Sequence, residues 1–161
     1  MKKTLVVCLL FFSIAVVLSL QAEGAQAPDF SLKAVDGKTY SLSACRGKAV
    51  LLNFWETGCP ACVAELPSLA ALARRFKGRL QVLSVSIDSS EAPLKDYLRQ
   101  HPMPFPVLSD PKRDVAFGLY AVFGLPVTFL INGKGDLIGR ISGGRDWTSP
   151  GMLNKIEEAM H

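Results

Sequence analysis

Cys59 and Cys62 stand three residues apart in the stretch NFWETGCPACVAELP, with Pro60 and Ala61 between them. Two thiols at that spacing can make and break a disulfide if a helix carries them on one side. The same spacing serves as half a zinc site, and two small residues can also simply be buried. Structural zinc needs a second pair of cysteines or two histidines. Downstream of the first residues only Cys45, His101 and His161 remain to supply them, so no metal site is expected.

The residues around the pair say what each thiol would do. Cys59 falls at the junction between the apolar run AVLLNFW and a helix beginning near Pro60. A thiol there faces unpaired backbone N–H groups and the positive end of the helix dipole, which favour thiolate. Cys59 is therefore expected to attack. Pro60 has no N–H to offer, so the amides of Ala61 and Cys62 are the expected donors. Cys62, one turn deeper, is placed to resolve a mixed disulfide formed by Cys59.

Those residues must be positioned by the elements on either side. DFSLKAVDGKTYSL alternates and turns at Asp36-Gly37, which predicts a β-hairpin. AVLLNFW is a continuous apolar run, as for a buried central strand. CPACVAELPSLAALARRF puts Leu66, Leu69, Ala73 and Phe76 on one helical face, with a kink expected at Pro67. LQVLSVSI predicts a second buried strand, and SEAPLKDYLRQH a capped helix packing Leu94, Tyr97 and Leu98. FPVLSD reads as a short strand and DVAFGLY as a short helix. VTFLI and LIGRIS form a hairpin closed by Asn132-Gly133-Lys134-Gly135. TSPGMLNKIEEAM ends the chain as a helix, with Thr148 or Ser149 as cap, Pro150 in its first position, and Leu153, Ile156 and Met160 facing the core. Strand and helix alternate, which predicts an α/β sandwich around a mixed sheet.

Composition sets the bounds. The chain has 161 residues, 49% hydrophobic and 20% charged, as for one globular domain with a proper core. Lys2 and Lys3 precede an apolar run from Leu5 to Leu20, the plan of a secretory signal or, if uncleaved, of an N-terminal membrane anchor, over residues 1–24. One domain is expected over 28–161. Cleavage after Ala22 takes the net charge from +4 to +2 by loss of Lys2 and Lys3, or to +3 if Glu23 goes too. That bias and the scattered basic residues argue against nucleic acid as a partner. Membrane contact is expected only through the N-terminal segment. Export leaves Cys45, Cys59 and Cys62, one close pair and one odd thiol, which is not the framework of a disulfide-stapled mini-domain.

NFWETGCPACVAELP resembles the active-site segment of thioredoxin-fold proteins, and within them the exported TlpA/ResA-like thiol-disulfide oxidoreductases. The flanking stretches APDFSLKAVDGKTYSLSACRGKAVLLNFW and FPVLSD through VAFGLYAVFGLPVTFLINGKGDLIGRISG carry the likeness from Pro28 to Gly144. The resemblance implies a thioredoxin-like fold with an additional N-terminal hairpin and a mid-chain insertion. It implies protein-disulfide reduction without a cofactor, a disulfide-containing protein as substrate with apocytochrome c as the target class, and a membrane thiol-disulfide transporter as electron donor. Pro126 matches the family's cis-proline facing the cysteine pair, and Leu125 before it offers backbone groups to an extended substrate. Glu65 matches the helix acid that handles the proton of the buried thiol, which a carboxylate one turn from Cys62 is chemically able to do. Asn53 stands where cytosolic thioredoxins bury an acid, and Trp55 is expected beneath the site as an aromatic floor and candidate substrate contact.

The chain departs from the family in three places, and the first leaves the direction of electron flow open. The pair reads Cys-Pro-Ala-Cys, with proline after the first cysteine where the family has it before the second. Gly58 replaces a common aromatic, and Cys45 stands where a polar or acidic residue is usual. An oxidant or isomerase, a metal-delivery module using the thiols as ligands, and a thiol peroxidase are the alternatives. APDFSL and VSIDSS are also similar to peroxiredoxins, but those place Thr or Ser three residues before the reactive cysteine, where this chain has Glu56.

Overall fold

The computed structural model of the protein describes residues 24–160. The predicted signal or anchor over 1–24 lies, but for Gly24, outside the described residues. None of the helices among the described residues is long and apolar enough to cross a membrane.

The hairpin forms as expected from β1 (Ser31–Lys33) and β2 (Thr39–Ser41), with Gly37 at φ 86° in the turn, where a side chain would be strained. The apolar runs become β3 (Ala49–Trp55) and β4 (Leu80–Ser86), joined by α1 (Pro60–Arg75). α2 (Glu91–Gln100) and β5 (Val107–Ser109) form the mid-chain addition. β6 (Val127–Ile131), β7 (Leu137–Ser142) and α3 (Pro150–Ala159) complete the chain. The five-stranded sheet runs β5-β4-β3-β6-β7, with β4 parallel to β3 and β5, and β6 antiparallel to β3 and β7. This mixed sheet is the thioredoxin-like arrangement that the sequence predicts.

Alternation along β3 divides the core. Ala49, Leu51 and Trp55 join Leu66, Leu69 and Leu72 of α1, Leu94 of α2 and Ile156 of α3. Val50, Leu52 and Phe54 face the other way, against Ala27, Phe30, Val115, Ala116 and Tyr120. All three helices thus supply one face, and the N-terminal segment, the hairpin and residues 114–122 cover the other. Leu66, Leu69 and Phe76 are buried along the expected face of α1, which runs on through Pro67.

Two local expectations are corrected. The short helix at DVAFGLY is a π-helical turn over Asp114–Leu119, and Arg113 before it sits at φ 61°. Ser90 and Ser149 occupy the N-cap positions of α2 and α3 without a capping side-chain bond; the Ser149 hydroxyl donates instead to the Asp146 carbonyl at 2.8 Å.

Tyr120 ties the N-terminal segment to the sheet. Its ring packs on Phe30, Phe54 and Phe129, and its hydroxyl donates to the Pro28 carbonyl at 2.6 Å. Burial, and after it the Asp29 carboxylate, hold the phenol above the usual tyrosine range. The folded state therefore disfavours phenolate, so this contribution is intact below about pH 10 and lost as pH rises beyond it. Tyr120→Phe is expected to cost about 1 kcal/mol at neutral pH. In urea unfolding that cost should shrink above pH 10; a constant cost would contradict the assigned environment.

Candidate active site

β3 is buried along its whole length and ends at Trp55, so the chain emerges at the sheet edge with residues 56–59 left to turn into α1. Asp88, just beyond the neighbouring strand β4, fixes that turn. Its carboxylate accepts from the Thr57 amide at 3.2 Å, from the Thr57 hydroxyl at 2.6 Å and from the Ser86 hydroxyl at 2.7 Å. Glu56 pairs with Arg113 at 3.6 Å, joining the turn to the start of the π-helical segment. The sequence singles out neither Asp88 nor Arg113: an aspartate after a strand looks like any turn former.

Cys59 is the N-cap of α1 and Pro60 its first residue. The Cys62 amide donates to the Cys59 sulfur at 3.2 Å, so of the two expected donors it is Cys62 that supplies the bond. The two sulfurs are joined, with Cα atoms 5.2 Å apart. Cys59 is half-buried and reaches a groove of about 350 Å³, whereas Cys62 has no exposed surface. Glu56, Arg113, Phe117, Phe123 and Leu125 also line that groove. The Leu125–Pro126 peptide bond is cis. Phe117 and Phe123 pair at 5.9 Å beside the thiol, and Phe123 is 81% exposed. These two aromatics are absent from the sequence-derived site because nothing in their spacing distinguishes them from core.

Glu65 lies on the other side of the pair. It is only 3% exposed. One oxygen accepts from Asn53 Nδ2 at 2.9 Å; the other accepts from the Arg145 amide at 3.1 Å and Trp147 Nε1 at 3.2 Å. Burial pushes its carboxyl above the ordinary glutamate range, while the Arg145, Asn53 and Trp147 donors pull it part of the way back. Asn53 is in turn held by Thr128 Oγ1, which accepts at 3.0 Å.

Trp55 needs correction as a substrate contact. It has no exposed surface and packs edge-on against Tyr97 in the core that contains Cys62. It can support the pair from below but cannot touch a docked chain. Cys45 lies before β3 and Cys59 after it, so the seven residues of β3 separate them, about 20 Å at the usual rise per residue. Cys45 makes a weak bond to the Ser41 carbonyl at 3.7 Å, and burial pushes its thiol up. It takes no part in the site. Among the described residues no three His, Cys, Asp or Glu side chains gather to hold a metal ion.

Comparison with known proteins gives a consistent picture. A family model described as the AhpC/TSA family matches residues 24–139. The chain is 36% identical over 123 residues to the thiol-disulfide oxidoreductase ResA of Bacillus subtilis (strain 168), covering 76% of this chain and 68% of that protein. Among solved structures, one assigned as thiol:disulfide interchange protein DsbE from Chlorobium tepidum superposes with a TM-score of 0.80 at 31% identity, covering 86% of this chain and 98% of that one. The exposed lipoprotein thioredoxin of Streptococcus pneumoniae strain TIGR4 gives 0.72 at 32% identity, covering 81% and 99%.

The raised carboxyl of Glu65 has a measurable consequence for stability. A group held above its unfolded value contributes stability fully below about pH 4.3 and loses it as pH rises through the folded value. Glu65→Gln removes that dependence. The unfolding free energy of the variant relative to the parent should therefore rise between about pH 4 and pH 8. A difference that stays constant over this range would place Glu65 in an ordinary environment.

Proposed function

Because this chain belongs to the AhpC/TSA family and is, like its ResA-type relatives, a thiol-disulfide oxidoreductase, we propose that it reduces disulfides in proteins outside the cytoplasm, with Cys59 as nucleophile and Cys62 as resolving thiol. The observation that carries this reading is the asymmetry of the pair: Cys59 opens on a groove and takes an amide bond to its sulfur, while Cys62 is sealed behind it. A thiolate that must meet a protein needs the first environment, and one that must meet only Cys59 needs the second.

In the reduced enzyme the Cys59 thiolate attacks one sulfur of a substrate disulfide. The substrate S–S bond breaks, one substrate thiolate leaves, and a mixed disulfide forms. Glu65 takes the proton from the Cys62 thiol, and the resulting thiolate attacks the Cys59 sulfur. The second substrate thiolate leaves and takes up a proton. The substrate has gained two electrons and the enzyme holds the Cys59–Cys62 disulfide. An external dithiol must then reduce it, and a membrane thiol-disulfide transporter is the donor class we assign. Apocytochrome c, whose haem-attachment cysteines must be kept reduced, is the substrate class. Export rests on Lys2, Lys3 and the apolar run after them, and is supported by the similarity to the pneumococcal exposed lipoprotein thioredoxin.

The substrate segment lies extended against Leu125 and Pro126, and the aromatic pair Phe117–Phe123 receives an apolar side chain next to its cysteine. Arg113 and Glu56 border the same groove and favour a substrate with a charge of either sign beside the disulfide.

Cys59→Ser is expected to abolish insulin-disulfide reduction, and Cys62→Ser to accumulate mixed disulfides with substrate. The Cys59–Cys62 couple of the parent should titrate nearer to thioredoxin, about −270 mV, than to DsbA, about −120 mV. Retained turnover by the Cys59 variant, or peroxide consumption outpacing insulin reduction, would overturn the assignment. Phe123→Ser should raise KM for a protein disulfide about three- to tenfold with kcat little changed. If KM stays put, the aromatic pair lies outside the docking surface.

A further inference from the structure

Trp147 is wholly buried, and its indole N–H ends on Glu65 from 82 residues away in sequence. Nothing in the local sequence around it assigns it a role. Its surroundings show a more specific arrangement. The segment after β7 is anchored at four points, three of them independent of the Glu65 carboxylate; the Ser68 hydroxyl among them also donates to the Glu65 backbone carbonyl at 2.9 Å. The Gly143 amide donates to the Pro126 carbonyl at 2.8 Å. Gly144 rides against the first turn of α1, where an added Cβ would stand 3.0 Å from the Ala61 carbonyl oxygen. The Trp147 amide donates to Ser68 Oγ at 3.1 Å. Only the fourth anchor, the Arg145 amide with Trp147 Nε1, meets the Glu65 carboxylate, and both donate to the same oxygen.

Donors of this kind discriminate between the two forms of a carboxyl group. An indole N–H and a backbone amide can only donate, so an oxygen facing both is suited to the ionised carboxylate. Asn53, on the other oxygen, can present either end of its amide, and its partners Thr128 and Ser84 are hydroxyls able to donate or accept. The rigid, one-sided contacts therefore come from the Arg145–Trp147 segment, and the adaptable ones from the sheet.

The charged and titratable groups facing Glu65 are few. Cys62 lies one turn back on α1, and Arg145 and Asp146 border the same groove from the segment after β7. The sheet contributes only neutral Asn53, Ser84 and Thr128. The Arg145 guanidinium is turned to the carbonyls of Gly144 and Ser142, at 3.0 and 2.9 Å, and makes no direct bond to the carboxylate.

We propose that Trp147, together with the Arg145 amide, is a positioning element that holds Glu65 in the orientation and charge state needed to accept the Cys62 proton. This rests on the proton-accepting role given to Glu65 above. The groove of about 540 Å³ lined by Ala61, Ala64, Ser68 and Arg145 reaches Glu65 and shares no lining residue with the groove at Cys59. The proton can therefore leave Glu65 while a substrate covers Cys59.

The test uses the full chain with Trp147→Phe, which keeps a buried ring and deletes the N–H. Carboxyl-detected NMR titration of Glu65 is paired with the pH profile of single-turnover insulin reduction. Loss of one hydrogen bond to a charged group should raise the Glu65 titration by about one pH unit. The acid limb of the rate profile should move with it, and the rate well above that limb should be preserved. Ser68→Ala removes the hydroxyl that accepts from the Trp147 amide and donates to the Glu65 backbone carbonyl, and should produce a smaller shift of the same sign if Trp147→Phe does not fold. A lowered melting temperature with an unmoved Glu65 titration in the folded variants would overturn the proposal. Glu65→Gln separates the two ideas: if it leaves the rate profile unchanged, the proton role of Glu65 fails, whereas the NMR shift still reports on the clamp.

Discussion

The end of β3 and the start of α1 meet at one place, and burial holds them there. Every residue of β3 is buried. A slip of one position would turn Leu51 and Trp55 out of one core layer, and Val50, Leu52 and Phe54 out of the other. Pairing with β4 on one side and β6 on the other fixes the same register twice. The chain then has to turn at once, and Pro60 suits a first helical position, because its missing N–H would have had no partner there. Cys59 is thus left as the cap. The amide that α1 cannot pair internally, that of Cys62, is aimed at its sulfur. The environment of the thiol follows from helix geometry and from a strand that cannot move.

A second constraint lies behind the first. A carboxylate taken out of water costs several kcal/mol unless its oxygens are satisfied, and Glu65 is satisfied only because two distant parts of the chain, Asn53 on β3 and the Arg145–Trp147 segment, converge on it. The relation is mutual. An apolar residue at position 65 would strand Trp147 Nε1 and the Arg145 amide, each costing about 1–3 kcal/mol if left buried and unpaired. The network therefore resists piecemeal loss, and it welds the segment after β7 to the redox helix. A buried acid with a raised carboxyl beside a redox pair is the setting that the proton-accepting role proposed for Glu65 requires.

Much of this was legible in the sequence, for identifiable reasons. β3, β4 and β6 are apolar runs, and Asp36-Gly37 and Asn132-Gly133-Lys134-Gly135 mark the β1–β2 and β6–β7 hairpins, with Gly37 and Gly135 at positive φ. The roles of Cys59 and Cys62 followed from placing one at a strand–helix junction and the other a turn later. The π-helical turn was beyond reach because six residues of DVAFGLY cannot tell one helical period from another. Ser90 and Ser149 have the type of a cap, but type does not say where a hydroxyl points. Asp88 and Trp147 share one reason for lying beyond the sequence reading: each matters through a partner brought close only by folding. Asp88 meets Thr57 across 31 residues and Trp147 meets Glu65 across 82, and no local pattern encodes either pairing.

The cis-proline loop joins these two constraints into one device. Leu125 borders the groove at Cys59, while the carbonyl of Pro126 receives the Gly143 amide at the head of the segment that grips Glu65. The backbone that a substrate would press against is therefore one hydrogen bond and two residues away from the backbone that holds the acid. A side chain at Gly144 would crowd the first turn of α1, because an added Cβ would stand 3.0 Å from the Ala61 carbonyl oxygen. Exchange chemistry needs Cys62 to become a thiolate after the mixed disulfide has formed, when Cys59 is covered. With Glu65 as the proposed proton acceptor, reached from a different groove and fixed by the backbone that would meet the substrate, that order would need no moving part.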